Sequence, residues 1–488
     1  MQSKRDQVQA HMFVMERLSS GMLVANPDAP ESPLSRTGRG AVVGIVLAVL
    51  VAAGAYVFGF FSPGQDNSWR APGTLVINSD TGARYLYSNG RLHPVLNYAS
   101  ALLLAGKDLK TTTAHSGTLS GAPIGLPVGI PDAPDSVPAA SSLDTSSWKV
   151  CVATSAAGRT STTLVAGAPI GEVPAKADEA LLVSGPDKSK YLVWRGSRLE
   201  LDKSTHAAES LGFAAVEPRH VSAAFLGALS QGPALKAPTV AGRGQRGPRV
   251  GGIDTRVGQI LSVIVPGSSA TQAYLVTRQG LLPLTPTGAA LILGDPATRT
   301  LAYQNANPVA AQVGSAAVSQ YLAPSGSRLL PTTLPETPPY PMSVPDDTAA
   351  CAVQHPSRAG VQISLGLVRA ETLGPRAQQP TSTVKPGCLP VDAVVVRPGH
   401  AVLVNALAGD GSAIGDTTYL VTETGVKYRI PSTDSLTALG FGDTDAERLP
   451  APLLSMLPSG PDLGTDAAAG SAQVRITAPD CGGPLQRQ

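Results

Sequence analysis

The chain has 488 residues, of which 43% are hydrophobic, 15% charged and only 4% aromatic, with 51 glycines and 43 prolines. Its formal charge of +2, from 37 Lys and Arg against 35 Asp and Glu, supplies no long-range field for a phosphate backbone, which sets nucleic acid aside as a partner. Length and apolar content exclude a disordered chain or a miniprotein and leave room for about three domains packed mainly by aliphatic side chains.

Residues 3–25 read SKRDQVQAHMFVMERLSSGMLVA, in which Val8, Met12, Met15, Leu18 and Met22 recur at spacings of four, three, three and four. That period puts them on one face of a helix, with Ser3 as a cap and Pro27 and Pro30 ending it. So short a helix has no domain of its own to pack on. Its methionines suit an adaptable protein groove, and the mixed charges of Lys4, Arg5, Asp6, Glu16 and Arg17 suit a cationic lipid binder poorly. Residues 1–40 are therefore read as a partner-docking helix and linker, with lipid contact as the alternative.

From Ala41 to Phe61 the chain is uncharged and apolar, 21 residues that span about 31 Å as a helix and match a bilayer core of about 30 Å. A secretory signal peptide would have a shorter n-region and a shorter apolar run, so an uncleaved anchor is expected. Arg36 and Arg39 precede the span, whereas Ser62 to Gln65 carry no positive charge, which places the N-terminus in the cytoplasm and the rest outside. Cys151, Cys351, Cys388 and Cys481 then all fall on the outer side, where disulfides persist. Their wide spacing, without a CxxC pair, argues against zinc.

A Tyr-Leu pair followed by a turn glycine recurs along the chain, at Tyr85 with Gly90, Tyr191 with Gly196, Tyr274 with Gly280 and Tyr419 with Gly425. Each copy reads strand, tight turn, strand, preceded in at least three cases by another apolar strand, so a three-stranded meander is the expected unit. The last two copies hold one more residue between tyrosine and glycine and are expected to have the longer loop. Copies two and four share further matches at an offset of 228, including Leu211-Gly212-Phe213 with Leu439-Gly440-Phe441, while copies one and three are offset by 189. The expected units are repeat 1 at 73–110, repeat 2 at 181–235, repeat 3 at 258–296 and repeat 4 at 401–463, followed by a tail at 464–488. The inserts 111–180 and 297–400 are expected to fold together as a central domain, with a pseudo-twofold relation between the flanking repeats. Cys151 and Cys351 lie one in each insert, and a bridge between them would close a loop of about 200 residues; Cys388 with Cys481 would be the second bridge. The fold class is mostly β with short helices, α+β, behind one N-terminal transmembrane helix. The repeat tyrosines and glycines are expected to serve core packing and turns.

No catalytic constellation is visible. GRGQRG at Gly242 to Gly247 satisfies a glycine-rich pattern, but Pro248, Arg249 and Val250 follow instead of a helix, and no P-loop exists. His115-Ser116 lacks a nucleophile elbow. No cofactor or metal is expected. The Pro- and Gly-rich stretch from Gly121 to Pro138 is read as a structural belt or partner surface.

Ser3 to Gly40, SKRDQVQAHMFVMERLSSGMLVANPDAPESPLSRTGRG, closely resembles the opening of EccB, the single-pass membrane component of actinobacterial type VII secretion systems. The likeness continues through Gly129-Ile130-Pro131, Ala133-Pro134, Trp148-Lys149-Val150-Cys151 and Cys351-Ala352-Val353. It implies an elongated extracytoplasmic body of four repeats around a central domain, with the family's disulfide falling on Cys151 and Cys351. Cys388 and Cys481 are additions to that pattern. The resemblance further implies a complex with the membrane ATPase EccC, the polytopic EccD and, in many systems, EccE, exporting WXG100-type substrates. An ATPase activity has been ascribed to the family, yet no motif here supports one. The expected role is a non-catalytic scaffold that self-associates through its outer domain in the cell membrane. The alternatives are a membrane-anchored cell-wall enzyme or nucleotide hydrolase and a stand-alone wall-binding module.

Overall fold

A computed structural model describes residues 3–24, 33–61, 67–155, 157–264, 267, 270–324, 326–357, 360–374, 383–408, 413–478 and 481. Pro27, Pro30 and residues 62–66 lie outside these, as does the end of the tail, 482–488. The leader forms a helix over Lys4–Val24, at whose start the Ser3 backbone N–H donates to the Asp6 carboxylate at 3.3 Å. A second helix runs over Pro33–Phe61, opened by a proline whose missing N–H costs nothing there. Within it Thr37–Val57 has the length and composition to cross a membrane, with none of it buried. The helix thus starts well before Ala41, in the linker expected to precede it.

Four sheets share one order. In the first, Thr74–Asn78, Arg84–Ser88 and Arg91–Pro94 form an antiparallel meander, the helix Tyr98–Ala105 follows, and Lys110–Ala114 returns parallel to the first strand. The second uses Glu179–Ser184, Lys190–Trp194, Ser197–Glu200, the helix Ala207–Ser210 and Arg219–His220. The third uses Ile260–Ile264, Thr271–Thr277, Gly280–Leu284, the helix Pro286–Gly294 and Ala311–Gln312. The fourth uses Ala401–Leu407, Ala413–Thr422, Lys427–Ile430, the helix Thr433–Ala438 and Glu447–Pro450. The chain then runs parallel along the other edge of each meander, where Leu92 meets Ile124, Ser197 meets Ser230, Leu281 meets Leu322 and Lys427 meets Ser459. Both open edges of every meander are thereby covered.

The sheets of the first and third meanders extend past the bounds 73–110 and 258–296. Strands at 110–114 and 311–312 and edge contacts at Ile124, Val128 and Leu322 belong to the repeat sheets, not to a central domain. Short polar runs such as KTTTA are recruited by backbone hydrogen bonds to an open edge and leave no apolar alternation to read. The Pro- and Gly-rich stretch is part of this edging: Leu92 N–H donates to the Pro123 carbonyl and Val128 N–H to the Pro94 carbonyl, both at 2.9 Å.

The turns follow from the glycines. Asn89 and Gly90, like Arg195 and Gly196, both have positive φ, as a two-residue type I′ hairpin requires. In the fourth copy three residues separate Thr422 from Val426, whose carbonyl accepts the Thr422 N–H. The third copy differs from expectation. Thr277 pairs with Gly280 across a two-residue loop, so the glycine opens the next strand, where a Cβ would lie 2.5 Å from the Tyr321 carbonyl oxygen. Leu211-Gly212-Phe213 and Leu439-Gly440-Phe441 end their helices alike: each glycine has positive φ and each phenylalanine N–H reaches back to Ala208 or Leu436. Phe213 and Phe441 are buried.

A six-stranded sheet joins the two long inserts. Its middle strands, Trp148–Thr154 and Thr348–Ser357, are antiparallel with Cys151 directly opposite Cys351, and a disulfide links the two. Thr160–Val165 and Gly360–Arg369 flank them, with Ala393–Val395 and Val173–Pro174 outermost. One face, including Trp148, Val150, Val152, Ala350 and Ala352, shares a core with Val183 and Phe225 of repeat 2 and with Val404 and Leu449 of repeat 4. The opposite face holds the disulfide under Ala168 and Leu373. Repeat 1 packs its helix residues Ala99, Leu102 and Leu103 on Leu403, Leu420 and Phe441 of repeat 4. Repeat 3 places Leu291 in the core of repeat 2. A second disulfide joins Cys388 to Cys481.

The contact between repeats 2 and 3 leaves no room at Gly294, where a Cβ would lie 1.8 Å from Ser210 Oγ. Gly294→Ala is expected to destabilise the protein by about 1–3 kcal/mol, and adding Ser210→Gly should recover most of that loss, as read by denaturant unfolding.

Candidate functional site

On the leader helix Val8, Met12, Met15, Leu18 and Met22 are all more than half exposed, as are Phe13 and Val14, which the spacing argument omitted. At about 100° per residue, Val14 widens the stripe beside Leu18, whereas Phe13 falls on the far side. The apolar surface is therefore broader than one face.

The repeat tyrosines are not brought together. Tyr85, Tyr191, Tyr274 and Tyr419 occupy the middle strand of four separate sheets, each half-buried against its local core. Tyr85 packs on Trp69, Val76 and Leu92, Tyr274 on Leu261 and Val276, and Tyr191 and Tyr419 on the core shared with the central sheet. Burial raises the phenol pKa of Tyr191 and Tyr419. Of the turn glycines, Gly196 does more than turn the chain, since a Cβ there would lie 2.1 Å from the Ile363 carbonyl oxygen of the central sheet.

The stretch Gly242 to Gly247 runs into the strand Arg246–Val250 instead of opening a helix, and Arg243 is turned inward to pair with Asp295. His115 Nδ1 faces both Ser79 Oγ at 3.0 Å and Asp80 at 2.9 Å. A relay needs those partners on opposite ring nitrogens. Among the described residues, no group of three His, Cys, Asp or Glu is placed to hold a metal ion.

Charged side chains at repeat junctions were missed, because a charge in a sequence is read as solvated. In repeats 2 and 4 a basic residue occupies the same place beside the tyrosine strand. Arg198 donates to the Leu226 carbonyl at 2.6 Å, and Lys427 Nζ donates to the Leu454 and Leu457 carbonyls. Repeats 1 and 3 put buried Leu92 and Leu281 there. Burial lowers the Lys427 ammonium to about 8. Equivalent register positions on the returning strands hold Arg219, opposite Val183, and Glu447, opposite Val404. Each reaches the central sheet: Arg219 Nη1 donates to Thr154 Oγ1 at 2.9 Å, and Glu447 Oε2 accepts Trp148 Nε1–H at 3.1 Å. Cavities of ≈ 520 and ≈ 570 Å³ lie beside Arg219 and Glu447. These groups fasten the repeats to the central sheet.

Burial drives the Glu447 carboxyl from 4.5 up to about 7, against the Trp148 hydrogen bond, which favours the ion. The folded chain thus prefers the neutral acid. The stabilisation is complete below about 4.5 and is lost as pH rises through about 7. Thermal unfolding of the wild type is expected to shift down across that interval, and Glu447→Gln should flatten the slope.

The chain matches the profile of the family described as type VII secretion system ESX-1, transport TM domain B, over residues 1–474. It is 27% identical to the ESX-3 secretion system ATPase EccB3 of Mycolicibacterium smegmatis, with 94% of this chain and 89% of that one covered. It is also 27% identical to the ESX-1 secretion system ATPase EccB1 of Mycobacterium tuberculosis, over 95% and 93%. Among solved structures, a chain of an intact ESX-5 inner membrane complex matches with a TM-score of 0.64 at 23% identity, covering 98% of this chain and 97% of that one. A chain of the EccB3 dimer from the ESX-3 core complex gives 0.63 at 23%, covering 81% and 99%. A profile match over residues 1–474, a shared fold and, among the described residues, one membrane-length helix behind an apolar leader together make this chain a member of the EccB family of type VII secretion systems.

Proposed function

We propose that this chain is a non-catalytic structural subunit of a type VII secretion membrane complex. Its leader helix docks cytoplasmic partners, its single span anchors it with the N-terminus inside, and its four repeats around the central sheet self-associate outside. The exposed apolar leader, joined through a short linker to the membrane helix, carries this reading. Such a surface needs burial in a complex, and a protein groove accommodates methionines readily. The family assigns the partners as the ATPase EccC, EccD and possibly EccE, and the cargo as WXG100-type proteins. Energy comes from EccC. The two disulfides, with Cys151 and Cys351 fully buried, suit an oxidising outer compartment. The repeat boundaries and the pseudo-twofold relation belong to the same proposal, supported by the basic position that repeats 2 and 4 share and repeats 1 and 3 lack.

Replacing Met12, Met15 and Leu18 with lysine is expected to cut copurification of the membrane ATPase by about tenfold or more while the variant remains in the membrane fraction. Full recovery of the ATPase with this variant would overturn the docking role. The related proteins bear the word ATPase in their names. Purified full-length protein is expected to release no phosphate from ATP above a no-protein control, and steady turnover would reverse the non-catalytic reading.

A further inference from the structure

Charge is unevenly divided among the repeats. Residues 238–330, which contain repeat 3, carry seven arginines, two aspartates, no lysine and no glutamate. Residues 401–463, which contain repeat 4, carry eight acidic residues against three basic ones. A chain of net charge +2 therefore holds the segment around repeat 3 at a formal +5 and repeat 4 at a formal −5.

Little of the positive charge is answered locally. Asp295 is taken by the inward-turned Arg243, and Asp254 lies 3.6 Å from Arg249. Among the described residues, Arg246, Arg256 and Arg278 have no carboxylate within ion-pairing distance. Arg246 stands directly opposite Arg256 across the hairpin of Arg246–Val250 and Ile253–Arg256, a like-charge placement that works against folding. The Arg278 side chain lies against Gly242, at the base of the same loop, and Arg256 Nη1 is held by the Gly244 carbonyl at 3.0 Å. A surface built from guanidinium groups alone favours carboxylates, which it can grip in bidentate fashion. On repeat 4, Asp434, Asp443 and Asp445 are exposed and, among the described residues, without an ion-pair partner.

We propose that the arginine hairpin before repeat 3, together with Arg278 of that repeat, docks on repeat 4 of a second copy of this chain, with Arg246 and Arg278 facing Asp443 and Asp445. The proposal rests on the self-association reading above and names its contact. The two faces attract at a distance, orient the approach and reject like-charged pairings, and this steering weakens with salt.

The test uses full-length protein in detergent, with oligomer mass followed by sedimentation at low and high salt. Arg246→Glu with Arg278→Glu makes both faces acidic, and Asp443→Arg with Asp445→Arg makes both basic. Each variant, checked for unaltered thermal unfolding, is expected to self-associate at least about tenfold more weakly than wild type, while an equal mixture of the two recovers association. Wild-type-like association of both separate variants, or a mixture that stays apart, overturns this contact and leaves self-association standing. A wild type that remains monomeric throughout overturns the self-association reading and this contact with it.

Discussion

Two strands that lie 200 residues apart in the chain must find each other for this body to exist. Trp148–Thr154 and Thr348–Ser357 pair in one register, and the Cys151–Cys351 bridge fixes that register where the strands are directly opposed. In the loop-entropy picture such a bridge removes about 5 kcal/mol of unfolded-state freedom. Because side chains alternate, the same register sends the two sulfurs to one face and Trp148, Val150, Val152, Ala350 and Ala352 to the other. A slip of one residue would bury the wrong set. The second face is an apolar platform shared by repeats 2 and 4, and the other two repeats are attached through these: repeat 1 rides on repeat 4, and repeat 3 on repeat 2.

The repeats use one solution to the edge problem and vary what is buried in it. A meander, a helix and a returning parallel strand recur in all four, and a further segment covers the remaining edge. At the position beside that last edge, Arg198 and Lys427 satisfy helix-end carbonyls, whereas Leu92 and Leu281 simply pack. The first pair abuts the central sheet and the second pair does not, so the chemistry of a repeat follows its place in the assembly. Arg219 and Glu447 then break the likeness, giving the two junctions opposite charges.

Much of this was legible because it rests on local chemistry. The membrane helix follows from an uncharged run, and the hairpins from Asn89-Gly90 and its counterparts. What could not be read is long-range. The helix of repeat 1 meets repeat 4 through Leu102 and Phe441, more than 300 residues apart, and nothing in either segment names the other. The strands Lys110–Ala114 and Ala311–Gln312 escaped notice because backbone pairing, not apolar alternation, holds them. Lys149, which is buried with Ser147 Oγ 2.7 Å and Glu172 3.3 Å away, and Lys427 are not legible as buried cations, because the Glu172 carboxylate and the Leu454 and Leu457 carbonyls reach them from later segments of the chain. The motif reads Gly280 as a loop residue, whereas it pairs with Thr277 at the start of a strand, close against the Tyr321 carbonyl. The leader stripe lies on a helix, and the exposure of Phe13 and Val14 shows that periodicity understates an apolar surface that has no core of its own to face.

Sidedness is the central claim of the proposed scaffold role. The proposal puts the apolar leader on one side of the bilayer, for partners to bury, and the disulfide-bonded body, held by its own cores, on the other. Lysines report it directly, because Lys4 lies on the leader helix while Lys107, Lys188 and Lys236 are exposed on the repeats. Wall-stripped intact cells can be treated with a membrane-impermeant amine reagent and the modified lysines mapped by mass spectrometry. Labelling of Lys107, Lys188 and Lys236 with Lys4 untouched until the membrane is opened is the predicted result. Labelling of Lys4 in sealed cells, with the repeat lysines protected, would contradict the account.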